Sequence, residues 1–450
     1  MTHTAPKEIT GLSQKPTTDS LFKRCRNLSQ PMQLMARRTM SVVSQWSSRI
    51  FSVELDGAES YFAIQETRKG DVLPEAFRRA NRDRFYSVLV SCSDRLRQVK
   101  FHADLEEKLL KALPAGCAVD PMSSFLPGTR GSLIRGYFLK ASSEDPSFSD
   151  RLLRDLIKDD PVLVCSYVKC EDGGTWTQNL WPDAHSEMIK TFYVVHSEAP
   201  KVHPSTLNII NSDVFYSFEE AREVLKESSD IIPEAASVLE LLPSRAGPRG
   251  RPDFPVIVIE GLDATGKTTL TESLKGALGA ALLRSPPQCL SPFRERFDQE
   301  PPLIRRAFYA LGNYITADQV SQEASKGPVI VDRFWHSTAA YAIATAVGGP
   351  VCNLPDEGSE LYRWPSDLLE PTLVVLLTLD PEERKRRLRD RGLIKTEEEQ
   401  KLDHNQLFRL KVEQAYRRIV GPVCVTVDAS PSADQVLREV QLLIKTKCHL

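Results

Sequence analysis

The chain has 450 residues, of which 41% are hydrophobic and 26% are charged, and its formal net charge at pH 7 is −2. This length predicts at least two folded domains, and the near-neutral charge argues against a protein that binds nucleic acid. No apolar run approaches the ~20 residues that cross a bilayer, so we expect no membrane span. The composition is compatible with a homo-oligomer.

The first 48 residues form a basic leader. Residues 20–49 contain no Asp or Glu, whereas Lys, Arg and Ser recur throughout this stretch. Such a composition is typical of a mitochondrial transit peptide, and the stretch lacks the continuous apolar core of a secretory signal. We therefore expect residues 1–48 to direct the protein to mitochondria. The alternative is a disordered basic tail on a cytoplasmic protein.

Residues 50–242 predict a separate mixed α/β domain. Runs rich in Val, Ile, Phe and Tyr predict strands at 50–55, 85–92, 134–139, 162–168 and 192–195. Helical spacing of apolar residues predicts helices at 149–158 and 218–227, and Ser217 is a suitable N-cap for the second helix. No motif in this region points to a function.

A linker and a second domain follow. Residues 243–253 contain three prolines, two glycines and three arginines, which indicates an exposed linker. Residues 254–450 then alternate apolar strand-like runs, at 254–260, 328–331, 373–379 and 424–427, with helical patterns. Near-continuous apolar strands separated by helices predict a parallel sheet that is covered on both faces. We expect a three-layer α/β/α domain.

A phosphate-binding loop follows the first strand of this domain. The sequence matches G-x-x-x-x-G-K-[ST] at every fixed position, directly after a strand and directly before a helix, which is the context that the motif requires. Glycines allow backbone N–H groups to surround phosphate oxygens at a helix N-terminus. We expect Lys267 to reach the β- and γ-phosphates and the Thr268 hydroxyl to ligate Mg²⁺. The predicted ATP-binding residues of the loop are Gly261, Leu262, Asp263, Ala264, Thr265, Gly266, Lys267, Thr268 and Thr269.

An acid and an arginine end the strand at 328–331. Asp332 is suited to hold Mg²⁺ through water, and the planar guanidinium of Arg333 fits the geometry of an acceptor phosphate. Ligands gather at the carboxyl ends of parallel strands. This placement favours a functional pair over a simple surface ion pair.

A basic helix follows the next strand. Residues 384–391 include six Lys or Arg side chains, and Arg387 and Arg391 are four residues apart and so share one face. Phosphoryl transfer requires cations around the transferred group and exclusion of water, and a basic lid provides both. We expect Arg387 and Arg391 to be catalytic. No Asn-Lys-x-Asp guanine motif occurs in this domain, which disfavours a GTPase.

Four segments resemble the thymidylate kinase family: residues 260–269, 332–341, 387–392 and 428–430. The resemblance implies ATP as phosphoryl donor, Mg²⁺ as cofactor, and CMP, UMP or their deoxy forms as acceptors. It implies that Asp263 lies by the acceptor sugar or its phosphate-binding arginine, that Tyr341 lines the acceptor site, and that Asp428 lies near the adenine. The interacting partners would then be small nucleotides.

One position departs from the family pattern. In thymidylate kinases an aromatic residue stacks on thymine, and an arginine one helical turn later contacts a base carbonyl. Tyr309 matches the aromatic position, and Asn313 replaces the arginine. An amide both donates and accepts hydrogen bonds, which suits uracil and cytosine alike. We expect Tyr309 to stack on the base and Phe308 to pack in the core.

Other classes of protein remain open at this stage. A thymidylate kinase or a deoxynucleoside kinase shares the motifs, and the latter needs a general base, for which Glu260 or Asp263 is the candidate. A nucleotide-gated switch with little turnover needs only the phosphate-binding loop. The basic lid argues against such a switch.

Overall fold

The structure is a computed structural model. It describes residues 45–67, 72–78, 84–92, 94–114, 117–140, 150–155, 161–181, 190–244, 252–391, 405–419, 421–422 and 424–449. Most of the predicted leader and of the predicted linker therefore lies outside the described residues. Among the described helices, none is both long and apolar enough to cross a membrane.

Eight antiparallel strands near the N-terminus close into a barrel, in the order β1-β2-β8-β7-β6-β3-β5-β4. Pairing of Ile50 with Phe125 and of Val53 with Met122 closes it between β1 and β4. The strands are β1 (Ile50–Leu55), β2 (Ala58–Gln65), β3 (Arg84–Val90), β4 (Ala118–Phe125), β5 (Ile134–Lys140), β6 (Val162–Lys169), β7 (Trp176–Leu180) and β8 (Lys190–His196). The five predicted strands are confirmed, and β2, β4 and β7 were not predicted.

Aromatic side chains fill the barrel. Phe62, Phe77, Phe138 and Trp176 are each at most 3% exposed and belong to one cluster, so the interior is a packed core. The short helix α1 (Glu75–Arg78) contributes Phe77 to this cluster. Helix α2 (Arg95–Ala112) covers the outside of the barrel with Phe101, Leu105 and Leu109. A helical segment at 150–155 lies within the predicted helix 149–158.

The first described residues already belong to the barrel. Trp46 is 1% exposed and donates from Nε1 to Oε1 of Gln178 at 2.8 Å. Arg49 is also buried, and its Nε donates to the Ser124 hydroxyl at 2.9 Å. Trp46 falls at the end of the segment predicted as the leader, residues 1–48, and Arg49 directly follows that segment.

Five parallel strands form the sheet of the C-terminal domain, in the order β10-β11-β9-β12-β13. They are β9 (Val256–Gly261), β10 (Ala281–Arg284), β11 (Val329–Asp332), β12 (Leu373–Thr378) and β13 (Cys424–Asp428). The surrounding helices are α5 (Lys267–Leu278), α6 (Arg294–Asp298), α7 (Pro302–Glu323), α8 (Trp335–Ala346), α9 (Pro381–Arg391), α10 (Gln406–Arg418) and α11 (Ala433–Cys448). The predicted fold class, a parallel-sheet α/β/α domain preceded by a separate domain, is confirmed.

Two helices between the barrel and this sheet pack into the C-terminal core. Helix α3 (Phe218–Ser228) begins at Ser217, whose hydroxyl accepts from the Glu220 N–H as predicted for an N-cap, and α4 (Glu234–Glu240) follows. Their buried faces share one hydrophobic cluster with α7 and α8. Asp367 fixes this contact, because one carboxylate oxygen accepts from the Tyr314 hydroxyl at 2.6 Å and the other from the Phe218 N–H at 2.8 Å.

Candidate active site

The phosphate-binding loop joins β9 to α5 in a conformation that depends on two glycines. Gly261 has φ 138°, and a Cβ there would lie 2.5 Å from the Leu377 carbonyl oxygen on the neighbouring strand. Gly266 has φ 89°, which is the left-handed region that favours glycine. The loop therefore passes closer to β12 than any side chain would allow, and it ends at the N-terminus of α5.

Lys267 is held inside the loop. Its side chain is buried, its Nζ donates to the Leu262 carbonyl at 2.7 Å, and Nζ lies 4.0 Å from Oδ1 of Asp263. Burial and then the nearby charge of Arg333 lower the pKa of Lys267 to about 7. A phosphate placed in the loop would supply the negative charge that this amine lacks.

Asp332 and Thr268 fit a magnesium ion. Asp332 ends β11 beside β9, and its buried Oδ1 has no hydrogen-bond partner among the residues that the structure describes. Thr268 is exposed at the first turn of α5, so its hydroxyl is accessible to a ligand. Hard oxygen donors, one of them otherwise unsatisfied, are the groups that Mg²⁺ prefers. No group of three or more His, Cys, Asp or Glu side chains that could hold a metal ion occurs in the described ranges.

Arg333 is anchored at the base of the loop. Its φ is 65°, and its Nη1 donates to the Gly261 carbonyl and to the Ser337 hydroxyl, both at 3.1 Å. Its Nη2 forms an ion pair with Asp263. Although burial opposes ionisation, the charges of Arg333, Lys267 and Arg384 hold the pKa of Asp263 below its usual value. The structure thus brings Arg333 and Asp263 together.

Glu260 is a residue whose position in the site the sequence analysis missed. It is fully buried at the end of β9 and accepts from the N–H groups of Phe334 at 2.8 Å and Ser337 at 3.2 Å, and from the Ser337 hydroxyl at 2.6 Å. Its carboxylate therefore caps α8, which carries Tyr341. Burial raises its pKa. With these contacts Glu260 orients a helix, and it does not have the free carboxylate that a general base for a sugar hydroxyl requires.

The lid helix α9 contacts the loop through two arginines. Arg387 donates from Nε to Glu383 at 2.8 Å and from Nη2 to the Ala429 carbonyl at 3.0 Å, and its Nη1 is 4.0 Å from where a Cβ on Gly266 would lie. Arg384 was not predicted. It is 2% exposed and donates from Nε to the Asp263 carbonyl at 3.0 Å. The side chain of Arg391 lies outside the described residues.

Asp428 ends β13 close to Arg387. Its Oδ1 accepts from the Ser430 hydroxyl at 2.6 Å and from the Ser430 N–H at 2.9 Å, and these hydrogen bonds lower its pKa. The exposed Asp428 carboxylate therefore stabilises the turn that Arg387 contacts. Its predicted position near the adenine stays a prediction.

The predicted acceptor residues lie on α7 and α8. Tyr309 is half-buried and donates its hydroxyl to Asp298 at 2.7 Å. Asn313 is 1% exposed; its Oδ1 accepts from Ser285 at 2.7 Å and its Nδ2 donates to Thr338 at 3.1 Å. Tyr341 is largely buried, 6.5 Å from the ring of Phe408. The roles of these side chains in binding a base stay predictions.

Phe308 packs in the core, as expected. It is fully buried and stacks on Phe297 with ring centroids 4.4 Å apart and an interplanar angle of 6°. Of the two neighbouring aromatic residues, only Tyr309 retains exposed surface.

Nucleotide binding is expected to take up a proton through Lys267. In the folded protein the pKa of Lys267 is about 7, below its ordinary value of 10.5. The charged amine therefore destabilises the nucleotide-free protein. This destabilisation is complete below pH 7 and disappears as the pH rises towards 10.5. Phosphate oxygens beside the amine restore the charge. Titration of Mg·ADP at pH 8.5, by calorimetry in two buffers of different ionisation enthalpy, should detect an uptake of about one proton.

The matched variant is Lys267→Met, which keeps the length of the side chain and removes the titratable amine. It should show no lysine-dependent uptake. A wild-type binding enthalpy that does not depend on the buffer would contradict the shifted pKa.

These features together define a P-loop nucleotide kinase. They are the glycine loop around a buried lysine, the acid and the arginine at the end of the neighbouring strand β11, and the basic helix over the loop. The thymidylate kinase family model matches residues 259–440. Human UMP-CMP kinase 2, mitochondrial, is 40% identical over 428 residues, covering 92% of this chain and 95% of the relative. The chain belongs to the thymidylate kinase family.

Two further matches each cover less than half of this chain. Thymidylate kinase of Schizosaccharomyces pombe is 26% identical over 210 residues, covering 44% of this chain and 92% of the relative. A solved thymidylate kinase from Candida albicans is 22% identical and covers 43% of this chain and 92% of that chain, with a TM-score of 0.33. The match to the human relative covers 92% of this chain and thus includes the barrel.

Proposed function

We propose that the chain transfers the γ-phosphate of ATP to the pyrimidine nucleoside monophosphates CMP, UMP, dCMP and dUMP. The observation that carries this proposal is the 40% identity to a UMP-CMP kinase over both domains. The sequence supports it as well, because Asn313 replaces the family's base-reading arginine with an amide, which can accommodate both uracil and cytosine.

The chemistry requires positioning and charge neutralisation more than proton transfer. The nucleophile is a phosphate oxygen that is already anionic at neutral pH, so no general base is needed. Lys267 would hold the β- and γ-phosphates, and Arg333, fixed by Asp263, would orient the acceptor phosphate in line with them. Mg²⁺, held through Thr268 and Asp332, would neutralise charge on the phosphates when bound. Arg387 would extend the positive lining over the loop and help to exclude water.

A parallel acceptor assay tests the proposal. Purified protein with Mg·ATP is offered CMP, UMP, dCMP, dUMP, dTMP and the nucleosides, and ADP release is measured for each. Turnover with CMP and UMP, and little with dTMP or nucleosides, is the expected result. A preference for dTMP would indicate a thymidylate kinase, turnover only with nucleosides would indicate a nucleoside kinase, and no acceptor-dependent release would indicate a switch.

Replacing Asn313 with arginine is expected to shift preference towards dTMP. The arginine restores the family's donor to a thymine carbonyl and removes the acceptor that cytosine needs. The ratio of kcat/KM for dTMP to that for CMP should rise at least about tenfold. Gln322→Arg, near the other end of α7, is the control and should leave the ratio unchanged. An unchanged ratio in Asn313→Arg would refute the role of Asn313 as base reader.

We also propose that the basic leader directs the protein to mitochondria and is removed there. The human relative's name includes the word mitochondrial. Trp46 and Arg49 are buried in the barrel, so a processed protein must retain them. N-terminal sequencing of protein isolated from mitochondria should begin upstream of Trp46.

Truncation tests the same boundary in vitro. Deleting residues 1–44 should leave Tm unchanged, whereas deleting residues 1–49 should lower the free energy of unfolding by about 3–5 kcal/mol through the loss of Trp46 alone. Equal stability of the two truncated proteins would contradict this boundary.

A further inference from the structure

A pocket apart from the phosphate-binding loop lies between α7, α8 and α10, one helical turn beyond the predicted acceptor residues Tyr309 and Tyr341. Thr345 follows Tyr341 by one turn on α8, and Arg305 precedes Tyr309 by one turn on α7. The cavity has a volume of about 290 Å³, and none of the described residues that line it is acidic. Its lining residues are Arg305, Ala344, Thr345, Asn405, Leu407, Phe408 and Lys411.

Lys411 is buried in this pocket, and its amine has no ion-pair partner among the described residues. The residue is 8% exposed, and its Nζ donates to the Val347 carbonyl at 2.6 Å. Throughout the described ranges, no carboxylate oxygen lies within ion-pair distance of this amine. Burial alone lowers its pKa, and no nearby carboxylate offsets that effect. A buried ammonium group has an unfavourable free energy unless a negative charge neutralises it.

Two further features make the pocket attractive to an oxyanion. Asn405 caps the 13-residue helix α10 by accepting from the Phe408 N–H at 2.9 Å, so the positive end of that helix lies at the pocket. Arg305 places a second cation on the opposite wall, where its Nη1 also donates to the Asp298 carbonyl at 3.2 Å. The Thr345 hydroxyl is already used, because it donates to Tyr341 and accepts from Arg306.

We propose that this pocket binds the phosphate group of a small molecule, separately from the ATP site and from the acceptor-phosphate site at Arg333. Lys411 would supply the principal charge, and Arg305 and the N-terminus of α10 would contribute further positive potential. The cavity is larger than a bare phosphate needs and lies at the lower end of the size range of small-molecule sites. A ligand about the size of a sugar phosphate fits these dimensions.

Calorimetric titration of inorganic phosphate and of ribose 5-phosphate tests the proposal. The full chain is first saturated with ADP and CMP, and wild type is compared with Lys411→Met, which keeps the length of the side chain and removes the charge. Binding should be about ten- to a hundredfold weaker in Lys411→Met, since one charge-assisted contact is lost. Lys411→Arg should retain most of the affinity, and the exposed control Lys445→Met should match wild type.

The two probes distinguish the source of the phosphate. Tighter binding of ribose 5-phosphate supports a sugar-phosphate ligand, and equal binding of both supports recognition of the phosphate group alone. Equal affinities in wild type and Lys411→Met would overturn the proposal. This holds even if CMP is not the acceptor and the acceptor site is left open to the probe, because that site is the same in both proteins. Should Lys411→Met fail to fold, crystals of wild type grown with selenate decide the question: an anomalous peak beside Nζ of Lys411 supports the site, and none there refutes it.

Discussion

Lys267→Ala is expected to lower kcat by about a hundred- to a thousandfold while the nucleotide-free protein remains at least as stable as wild type. The activity falls because the γ-phosphate loses a charged donor that is preorganised inside the loop. The stability does not fall, because the buried amine lacks sufficient negative charge around it, as the lowering of its pKa to about 7 indicates. Acceptor-dependent ADP release gives kcat, and thermal unfolding without nucleotide gives Tm.

The matched control is Lys275→Ala on the same helix. Lys275 is half exposed and pairs with Glu272 at 3.8 Å, so the activity and the Tm of Lys275→Ala should both stay near those of wild type. Normal turnover in Lys267→Ala would remove the basis for the proposed function. A large drop in its Tm would show instead that the lysine supports the fold.

The second large effect is expected for Arg333→Met. The variant loses the guanidinium proposed to orient the acceptor phosphate, so kcat/KM for the acceptor should fall by about a hundredfold or more. It also removes the closer ion-pair partner of the Asp263 carboxylate and leaves Lys267, at 4.0 Å, as the more distant one. Because the Arg333 and Asp263 side chains are about one-fifth exposed, the free energy of unfolding should fall by on the order of 2 kcal/mol, less than for a fully buried pair.

The double variant Arg333→Met/Asp263→Asn separates these two effects. Removing the carboxylate as well eliminates the uncompensated charge, so stability should recover while activity stays low. Steady-state kinetics and denaturant unfolding of the two single variants and the double variant complete the cycle. Recovery of activity together with stability would mean that Arg333 acts only by supporting the fold.

Local sequence patterns were sufficient to predict the phosphate-binding loop and four of the five strands of the parallel sheet, whereas the short edge strand β10 was missed. Apolar runs locate β9, β11, β12 and β13, and the glycine spacing fixes the loop between β9 and α5. In the barrel, the strands that were missed carry weaker patterns. Strand β4 contains Pro121, and β7 has only two hydrophobic residues, Trp176 and Leu180, with three polar residues between them. Strand β4 also pairs with β1, near the start of the barrel, and no local pattern shows a partner so far back in the chain.

The residues of the site that were missed act through tertiary contacts. Arg384 is one of several arginines in a basic run, and only the packing of α9 against the loop distinguishes it as buried. Glu260 was considered as a base because it precedes the loop, but its carboxylate is bonded to the start of a helix 74 residues further along the chain. One local feature did point to the partner of Glu260. Ser337, which bonds to Glu260, lies four residues after Arg333 within the segment that resembles the family.

The packing of α3 on α7 has a consequence for where the catalytic half of the chain can be cut. The family match begins at residue 259, yet Val224 and Leu225 of α3 are fully buried in one cluster with Leu311 of α7, three residues from Tyr314 and its bond to Asp367. A protein shortened to the matched region would expose that apolar surface on the helix that carries Tyr309 and Asn313. The smallest soluble catalytic fragment therefore starts well before the phosphate-binding loop, at or ahead of Ser217.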